Sequence, residues 1–217
     1  MKKSRSQLPP VAGAARLAAL VLAAGHSSRM GDFKPLLTVG RCTALQSAIR
    51  LFRESGVEDM AVIVGYRADE VSPVALRAGA CCVLNPDHET GMFSSVVAGV
   101  RWLPSYVEAC FILPADMPLV RPGTVRQMTA EFLRSKAPIL YPVFNGRRGH
   151  PPLVVTRILA EALGAEPPAS LRDLLRRHES EARPVVVDDE GIILDMDTPG
   201  DLERLRALAA ARGKERS

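Results

Sequence analysis

The chain has 217 residues, of which 47% are hydrophobic and 24% are charged, and its formal net charge is +4 at pH 7. This length accommodates one domain with a full hydrophobic core. The modest charge and the scattered arginines do not indicate nucleic-acid binding, and no run reaches the ~18 apolar residues of a membrane span. The four cysteines form no C-x-x-C pair, so we expect reduced, buried thiols rather than a zinc site.

The N-terminal segment is basic at first and then rich in Pro and Ala, and we predict a disordered leader over residues 1–15. Basic residues before an apolar segment are weakly similar to a signal peptide. However, Arg16 interrupts the apolar run, and cleavage near Ala24 would remove the first strand. We therefore expect a single folded domain over residues 16–212 in a cytoplasmic protein.

A buried strand is predicted over residues 17–22, which are apolar throughout. A loop of small residues follows and carries two cations, Arg29 and Lys34. Small residues let backbone N–H groups approach a ligand, and fixed positive charge attracts phosphate. An ordinary solvated turn is the alternative. The predicted phosphate-binding residues of this segment are Leu22, Ala23, Ala24, Gly25, Ser28, Arg29 and Lys34.

Short apolar strands alternate with amphipathic helices in the next hundred residues. We predict helices over residues 44–55 (capped by Thr43), around an interrupting Pro73, and up to about residue 102, and strands over residues 60–64, 80–84 and 109–113. This alternation is typical of parallel βαβ units, whose ligands bind beyond the carboxyl ends of the strands. The helix before residue 102 is expected to begin at a serine cap, and His88 is expected to be a solvated loop histidine.

Asp116 lies three positions after the end of the predicted strand at residues 109–113, between two prolines that stiffen the loop. A carboxylate in this place suits Mg²⁺, which takes one or two protein carboxylates and completes its shell with phosphate oxygens and water. A turn or capping aspartate is the alternative. The combination with the cationic loop at Arg29 favours the metal site.

The second half is predicted to begin with a helix over residues 122–135 and a β-hairpin, formed by residues 139–144, an Asn-Gly turn and residues 152–155. Between the arms, Arg148, Gly149 and His150 are predicted to bind an anionic acceptor substrate, although exposed hairpin charges would also explain them. The rest of the chain is predicted to form helices over residues 156–163 and 170–178, strands over 183–187 and 192–194, and a final helix that Thr198 caps and Pro199 begins.

Four segments together resemble the MobA-like nucleotidyltransferases, in the expected order over residues 17–205. They are LAAG-x-S-x-RMG-x-x-K, NP-x-x-x-x-GM-x-SS, D-x-P and D-x-DTP-x-DL, which begin at residues 22, 85, 116 and 195. The RGHP run and the Ala23-Ala24 pair resemble the cytidylyltransferase branch more than the guanylyltransferase branch. Gly200 stands where the family commonly has an acidic residue.

The resemblance implies a three-layer αβα fold, with a Rossmann-like, mostly parallel sheet and a small β-hairpin insertion. It also implies that the second segment faces the base and ribose of the nucleotide, through Gly91, Ser94 and Ser95. Asp116 and Asp197 would bind Mg²⁺, and Arg29, Lys34 and Asp116 would be the catalytic residues.

The activity implied by the resemblance is transfer of a CMP group from CTP, or from another NTP, to a molybdopterin-type phosphorylated acceptor, with release of pyrophosphate. The attacking group is already a phosphate oxygen, so this chemistry requires placement and charge neutralisation rather than a protein nucleophile. A molybdoenzyme is a possible partner. The alternatives are a nucleotidyltransferase for a sugar or alcohol phosphate and a non-catalytic chaperone for the molybdenum cofactor.

Overall fold

The computed structural model describes residues 15–27, 30–165 and 169–214. The predicted disordered leader therefore lies outside the described residues except for its last position, and it stays a prediction. Ser28 and Arg29 of the predicted phosphate-binding loop also lie outside them. None of the described helices is long and apolar enough to cross a membrane.

The described strands and helices alternate along most of the chain. The strands are β1 (Leu17–Ala23), β2 (Thr38–Val39), β3 (Cys42–Thr43), β4 (Asp59–Val64), β5 (Cys81–Leu84), β6 (Ala109–Pro114), β7 (Ile139–Phe144), β8 (Arg147–Arg148), β9 (Leu153–Val155) and β10 (Ala182–Val186). The helices are α1 (Ala44–Glu54), α2 (Ala68–Arg77), α3 (Met92–Trp102), α4 (Pro122–Ser135), α5 (Thr156–Ala160), α6 (Leu171–Arg176) and α7 (Pro199–Lys214).

The central sheet has the strand order β10-β7-β9-β6-β1-β4-β5, and β8 pairs with β7. The neighbours β6, β1, β4 and β5 run parallel, whereas β9 is antiparallel to both β6 and β7. Strand β1 lies between β4 and β6, and all its residues are buried. Because parallel strands share one carboxyl edge, the loops after β1, β5 and β6 open on the same side of the sheet.

Helices cover both faces of the sheet. Successive β1 residues point to opposite faces, so they pack against different helices. Ala19 and Val21 pack in a cluster with residues of α1, α2 and α4. Ala18 and Leu20 pack in a second cluster with residues of α3, α5 and α6. The predicted three-layer αβα fold with a mostly parallel sheet is therefore confirmed.

A third, smaller cluster joins the two ends of the chain. Its buried members come from the first loop, from β2, from the start of α1, from the loop after β6, from the segment before α7 and from α7 itself: Met30, Val39, Ala44, Leu119, Met196, Leu202 and Leu205. The Arg206 Nε also donates a hydrogen bond to the Thr38 carbonyl oxygen over 3.0 Å. The C-terminal helix is thereby held against the segment that follows the first loop.

Several local predictions are confirmed, and the first and fourth helices show this best. The Thr43 hydroxyl accepts a hydrogen bond from the Gln46 N–H, and the Gln46 side chain caps the Thr43 N–H in return, as a capping box requires. Helix α4 spans the predicted residues. The four cysteines are free, but only Cys110 is fully buried, and burial raises the pKa of its thiol.

The predicted strand over residues 192–194 is wrong. Residues Glu190–Ile193 form a 3₁₀ turn instead. The buried Asp189 carboxylate accepts hydrogen bonds from the Gly191 N–H (3.1 Å), the Arg121 N–H (2.7 Å) and the Thr124 hydroxyl (2.7 Å). These bonds curl the chain at the point where a strand would extend it.

The predictions for three other elements also differ from the structure. Helix α3 begins after Gly91, whose φ is 111°, and Ser94 lies inside the helix rather than at its cap. Helix α2 continues through Pro73, since its fully buried Val71 and Ala75 offset the cost of the missing hydrogen bond. The predicted hairpin turns at residues 145–146, but β8 is its second arm, and β9 lies between β7 and β6 in the main sheet.

Candidate active site at the carboxyl edge of the sheet

Lys34 lies at the centre of the candidate site. It begins a 3₁₀ turn (Lys34–Leu36) after the first loop, and its N–H donates to the Ser27 hydroxyl oxygen over 3.1 Å. The side chain is largely buried. Its Nζ lies 3.2 Å from Asp116 Oδ2 and 2.6 Å from Asp197 Oδ1. Burial lowers the pKa of Lys34, but the hydrogen bonds and charges of the two aspartates outweigh it, so the pKa lies above its ordinary value.

Asp116 is positioned by the end of β6. The N–H of the preceding Ala115 donates to the Leu22 carbonyl oxygen over 3.0 Å, which ties the Asp116 loop to the end of β1. Burial raises the pKa of the Asp116 carboxyl, and the charge of Asp195 acts in the same direction, while the Lys34 ammonium partly opposes both. Carboxyl groups that burial perturbs in this way are common at functional sites.

Asp197 is positioned by the start of α7. The Asp201 carboxylate Oδ2 accepts hydrogen bonds from the Asp197 N–H (3.2 Å), the Thr198 N–H (2.8 Å) and the Thr198 hydroxyl (2.8 Å). The Asp201 N–H donates back to the Thr198 hydroxyl over 3.2 Å. This reciprocal cap holds the residue before the helix in one place, and it confirms the predicted role of Thr198.

The two carboxylates fit a hard divalent cation. Asp116 and Asp197 each place an oxygen against the single ammonium of Lys34, so the fold already converges negative charge on one cation position. Carboxylate oxygens are the ligands that Mg²⁺ and Mn²⁺ take in phosphate-transfer sites. Both side chains keep partial exposure, 23% and 31%, which leaves room for further ligands.

The end of β1 and the first loop lie beside this cation position. Leu22, Ala23 and Ala24 are buried, and the Ala24 carbonyl oxygen accepts a hydrogen bond from the Tyr66 N–H over 3.1 Å. A Cβ built on Gly25 would meet nothing within 4 Å, so the loop opens to space at that residue. The predicted contacts of Ser28 and Arg29 lie outside the described residues.

The second predicted nucleotide-facing segment is organised by a buried side chain that the sequence interpretation left without a role. Asn85, 2% exposed, donates from Nδ2 to the Ser94 hydroxyl oxygen (2.8 Å) and to the Ser95 hydroxyl oxygen (3.0 Å). Ser95 is itself buried, so its hydroxyl faces the protein interior. Gly91 is exposed and Ser94 partly so, and they are the members of this segment that a ligand can reach.

The predicted acceptor-binding residues line a cavity of about 750 Å³. Arg148 stacks over the Tyr141 ring, with its guanidinium carbon 4.6 Å from the ring centroid, and forms an ion pair with Glu179. Gly149 packs so tightly that a Cβ there would lie 2.2 Å from the Ile192 carbonyl oxygen. That oxygen accepts a hydrogen bond from the His150 N–H over 2.8 Å.

His150 precedes a cis peptide bond to Pro151. Burial lowers the pKa of its imidazole, against the opposing influence of the Asp116 and Asp195 charges, so the ring is neutral at pH 7. The same cavity is lined by Gly91. The structure therefore brings the predicted nucleotide-facing segment at Gly91 and the predicted acceptor-binding segment to one cavity. Of the two carboxylates at the cation position, that of Asp116 is close enough to act on His150.

The carboxylates of Asp116 and Asp197, and the lysine between them, were all singled out by their sequence motifs. Two supporting residues were missed. Asn85 is the first residue of an Asn-Pro pair that follows a strand, and Asp201 lies three positions after the threonine that caps the last helix. Neither pattern by itself indicates what the side chain supports.

Residues 19–182 match the family model described as the MobA-like NTP transferase domain. A molybdenum cofactor cytidylyltransferase of Escherichia coli K12 is 32% identical over 183 residues, which cover 84% of this chain and 91% of that protein.

Two solved structures share the fold. A nucleotidyl transferase from Methanothermobacter superimposes with a TM-score of 0.78 at 20% identity and covers 91% of this chain and 99% of its own. A Mycobacterium tuberculosis H37Rv protein in complex with manganese superimposes with a TM-score of 0.70 at 20% identity, over 89% of this chain and 99% of its own. At these identities the likeness concerns the fold alone.

Proposed function

Because this chain belongs to the MobA-like NTP transferase family, we propose that it transfers CMP from CTP to the phosphate of a molybdopterin-type acceptor and releases pyrophosphate. One observation carries the proposal: Lys34, Asp116 and Asp197 converge on a single cation position at the sheet edge where ligands of parallel sheets bind. A cytoplasmic location, and a molybdoenzyme that receives the product, belong to the same proposal.

Asp116 and Asp197 would hold a divalent cation, Mg²⁺ or Mn²⁺, against the triphosphate. Such a cation supplies Lewis-acid polarisation of the phosphate oxygens when it is bound. Lys34 would then turn from the carboxylates to the phosphates, where with Arg29 it neutralises the charge that builds on the departing pyrophosphate. One well-placed contact of this kind is worth about 3 kcal/mol in the transition state, or about a hundredfold in rate.

The nucleotide would lie between the first loop and the segment at the start of α3. Small residues at the end of β1, from Leu22 to Gly25, leave space for phosphates beside the cation position, with Ser28 as a further donor. Gly91 and the Ser94 hydroxyl would face the base and ribose. Ser95 would act through Asn85, whose two hydrogen bonds hold both serines at the start of the helix.

The cavity beside Arg148 has the chemistry that a phosphorylated pterin requires. Its volume of about 750 Å³ lies within the range of small-molecule sites, about 300–1,000 Å³. Tyr141 and the Arg148 guanidinium offer flat faces to a planar heterocycle, and the arginine also offers charge to a phosphate. The printed name of the Escherichia coli relative, which mentions the molybdenum cofactor, supports the same acceptor.

Turnover with a panel of donors and acceptors tests the proposal. The purified protein is incubated with Mg²⁺ and each of the four NTPs, in the presence of molybdenum cofactor or of a panel of sugar and alcohol phosphates, and pyrophosphate release is measured. We expect release with CTP and molybdenum cofactor. Preferential turnover of a sugar or alcohol phosphate would replace the acceptor, and tight cofactor binding without pyrophosphate would indicate a carrier.

A further inference from the structure

Three side chains that can bind metals meet away from the pair of aspartates. His26 follows Gly25 in the first loop, and His88 and Glu89 begin the 3₁₀ turn (His88–Thr90) after β5. Each of the three offers a ligand atom that lies within 4.8 Å of the other two. His26 and Glu89 are exposed and His88 is partly buried, so an ion from solvent can reach the cluster.

The position of His88 is set by close packing against the chain. A Cβ on Gly65 would lie 2.5 Å from the Cβ and the Cδ2 of His88, so the imidazole rests directly on the Gly65 backbone. Its ring centroid lies 5.5 Å from that of His26, and the His26 ring centroid lies 4.4 Å from that of Tyr66. The two imidazoles are therefore held near each other before any ligand arrives.

A second observation points to a missing ligand. The Nδ1 of His88 is shielded from solvent and has no hydrogen-bond partner among the residues that the structure describes. Native proteins leave few buried polar atoms unsatisfied, because such an atom loses its hydrogen bonds to water without replacement. This nitrogen belongs to one of the three side chains of the cluster, and an ion bound there, or its water, is a candidate for the missing partner.

We propose that His26, His88 and Glu89 form a second cation site that binds a transition metal such as Zn²⁺. Two neutral imidazoles and one carboxylate suit Zn²⁺, Co²⁺ and Ni²⁺, whereas Mg²⁺ prefers oxygen ligands. The site is thus distinct in chemistry from the position between Asp116 and Asp197. Three protein ligands leave the fourth position of a tetrahedral ion to water or to a ligand from solution.

The consequence of binding follows from where the three residues lie. His26 belongs to the first loop, and Glu89 lies two residues before Gly91, so an ion between them would link the two segments that face the nucleotide if the proposed function is correct. We expect that such a link hinders exchange of the nucleotide. Zn²⁺ would then inhibit turnover in excess Mg²⁺.

Titration with Co²⁺, followed by visible absorption, tests the site without reference to activity. The full chain in excess Mg²⁺ should bind one equivalent of Co²⁺, which Zn²⁺ displaces. His26→Gln and His88→Gln should each weaken the binding about tenfold or more. Asp116→Asn should leave it unchanged. His178→Gln is the matched control, because His178 also contacts two carboxylates, those of Glu161 and Glu181.

Glu89→Gln distinguishes the loss of a metal ligand from misfolding, because it changes a single group of an exposed side chain. It should weaken Co²⁺ binding while the thermal unfolding transition stays cooperative and unshifted. Unchanged affinity in Glu89→Gln and His88→Gln, loss of binding in His178→Gln, or a thiolate-to-cobalt charge-transfer band from the cysteines would each overturn the proposal. Co²⁺ binding by a protein that fails to turn over CTP would refute the proposed function and leave this site standing.

Discussion

The ammonium nitrogen of Lys34 lies 2.6 Å from Oδ1 of Asp197, a residue 163 positions further along the chain. The same nitrogen lies 3.2 Å from Asp116 Oδ2. Lys34 therefore occupies the point on which both carboxylates converge, and a divalent cation bound there would take the place of its ammonium. In the proposed function, Asp116 and Asp197 would hold that cation and Lys34 would face the phosphates of the nucleotide.

Replacement of Lys34 by methionine tests this exchange. Without the ammonium, the two carboxylates repel each other, and we expect the free energy of unfolding to fall by about 1–3 kcal/mol in the presence of a chelator. Mg²⁺ should restore stability and raise the melting temperature more than it does in the unaltered protein. Thermal unfolding with and without Mg²⁺ measures both effects. Lys136→Met removes a lysine elsewhere and should respond to Mg²⁺ as the unaltered protein does.

The two carboxylates of the cation position are predicted to be necessary for turnover but not for folding. Asp116→Asn and Asp197→Asn should each lower kcat by about a hundredfold or more, because the amide cannot neutralise a cation. Asp195→Asn changes a neighbouring carboxylate that does not contact Lys34 and should have a much smaller effect. Pyrophosphate release is the measurement. An unaltered kcat in either of the first two variants would rule out the metal assignment.

Asp201 is predicted to position Asp197 and to stabilise α7. The pKa of its carboxyl is lowered because it accepts hydrogen bonds from Thr198 and Asp197. Its contribution to stability is therefore fully present above the ordinary pKa of an aspartate and is lost as the pH falls through the lowered value. Asp201→Asn should lower the free energy of unfolding by about 1 kcal/mol at pH 7. It should also make that free energy depend less steeply on pH in the acid range.

Urea unfolding from pH 7 down to the acid range measures this effect. Glu203 is an exposed acid in the same helix, and Glu203→Gln should keep the steep pH dependence of the free energy of unfolding. Asp201→Asn should also lower kcat more than it raises the KM for CTP, because the cation position loses its alignment. A variant with normal kcat would show that Asp201 serves the helix alone.

Arg148 is predicted to bind the acceptor. It lines the cavity and stacks on Tyr141, whereas the adjacent Arg147 does not line that cavity. Arg148→Ala should raise the KM for the acceptor about tenfold or more, which corresponds to the loss of one charged hydrogen bond, while the KM for CTP stays close to its original value. Arg147→Ala is the control. Equal effects of the two changes would indicate general electrostatic attraction instead.

Gly149 is predicted to tolerate no side chain. In Gly149→Ala the new Cβ would lie 2.2 Å from the Ile192 carbonyl oxygen, a backbone atom that cannot rotate away. The protein should lose about 1–3 kcal/mol of stability, and the acceptor-binding segment should shift. Gly123→Ala, in a helix with nothing within 4 Å of the new Cβ, should keep or slightly raise stability. Chemical denaturation of both variants decides the matter.

The elements that have a local cause follow directly from the amino-acid sequence. The buried strand β1 follows from an uninterrupted apolar run, α1 from the Thr43 capping box, and α4 from Pro122 at its first position. The four motifs also identified Lys34, Asp116 and Asp197, because short spacing patterns are visible without a fold. What such patterns leave open is which residues meet.

The contacts between distant segments, in contrast, depend on how the chain folds in three dimensions. The carboxylates of Asp116 and Asp197 meet at Lys34 because the parallel strands bring the first and sixth strand ends to one edge, and because the cluster around Met196 holds α7 there. The turn at Glu190–Ile193 replaced a predicted strand, since the buried Asp189 outweighs the local preference of two isoleucines. The meeting of His26 with His88 has the same cause: side-chain proximity depends on strand order, which no local pattern encodes.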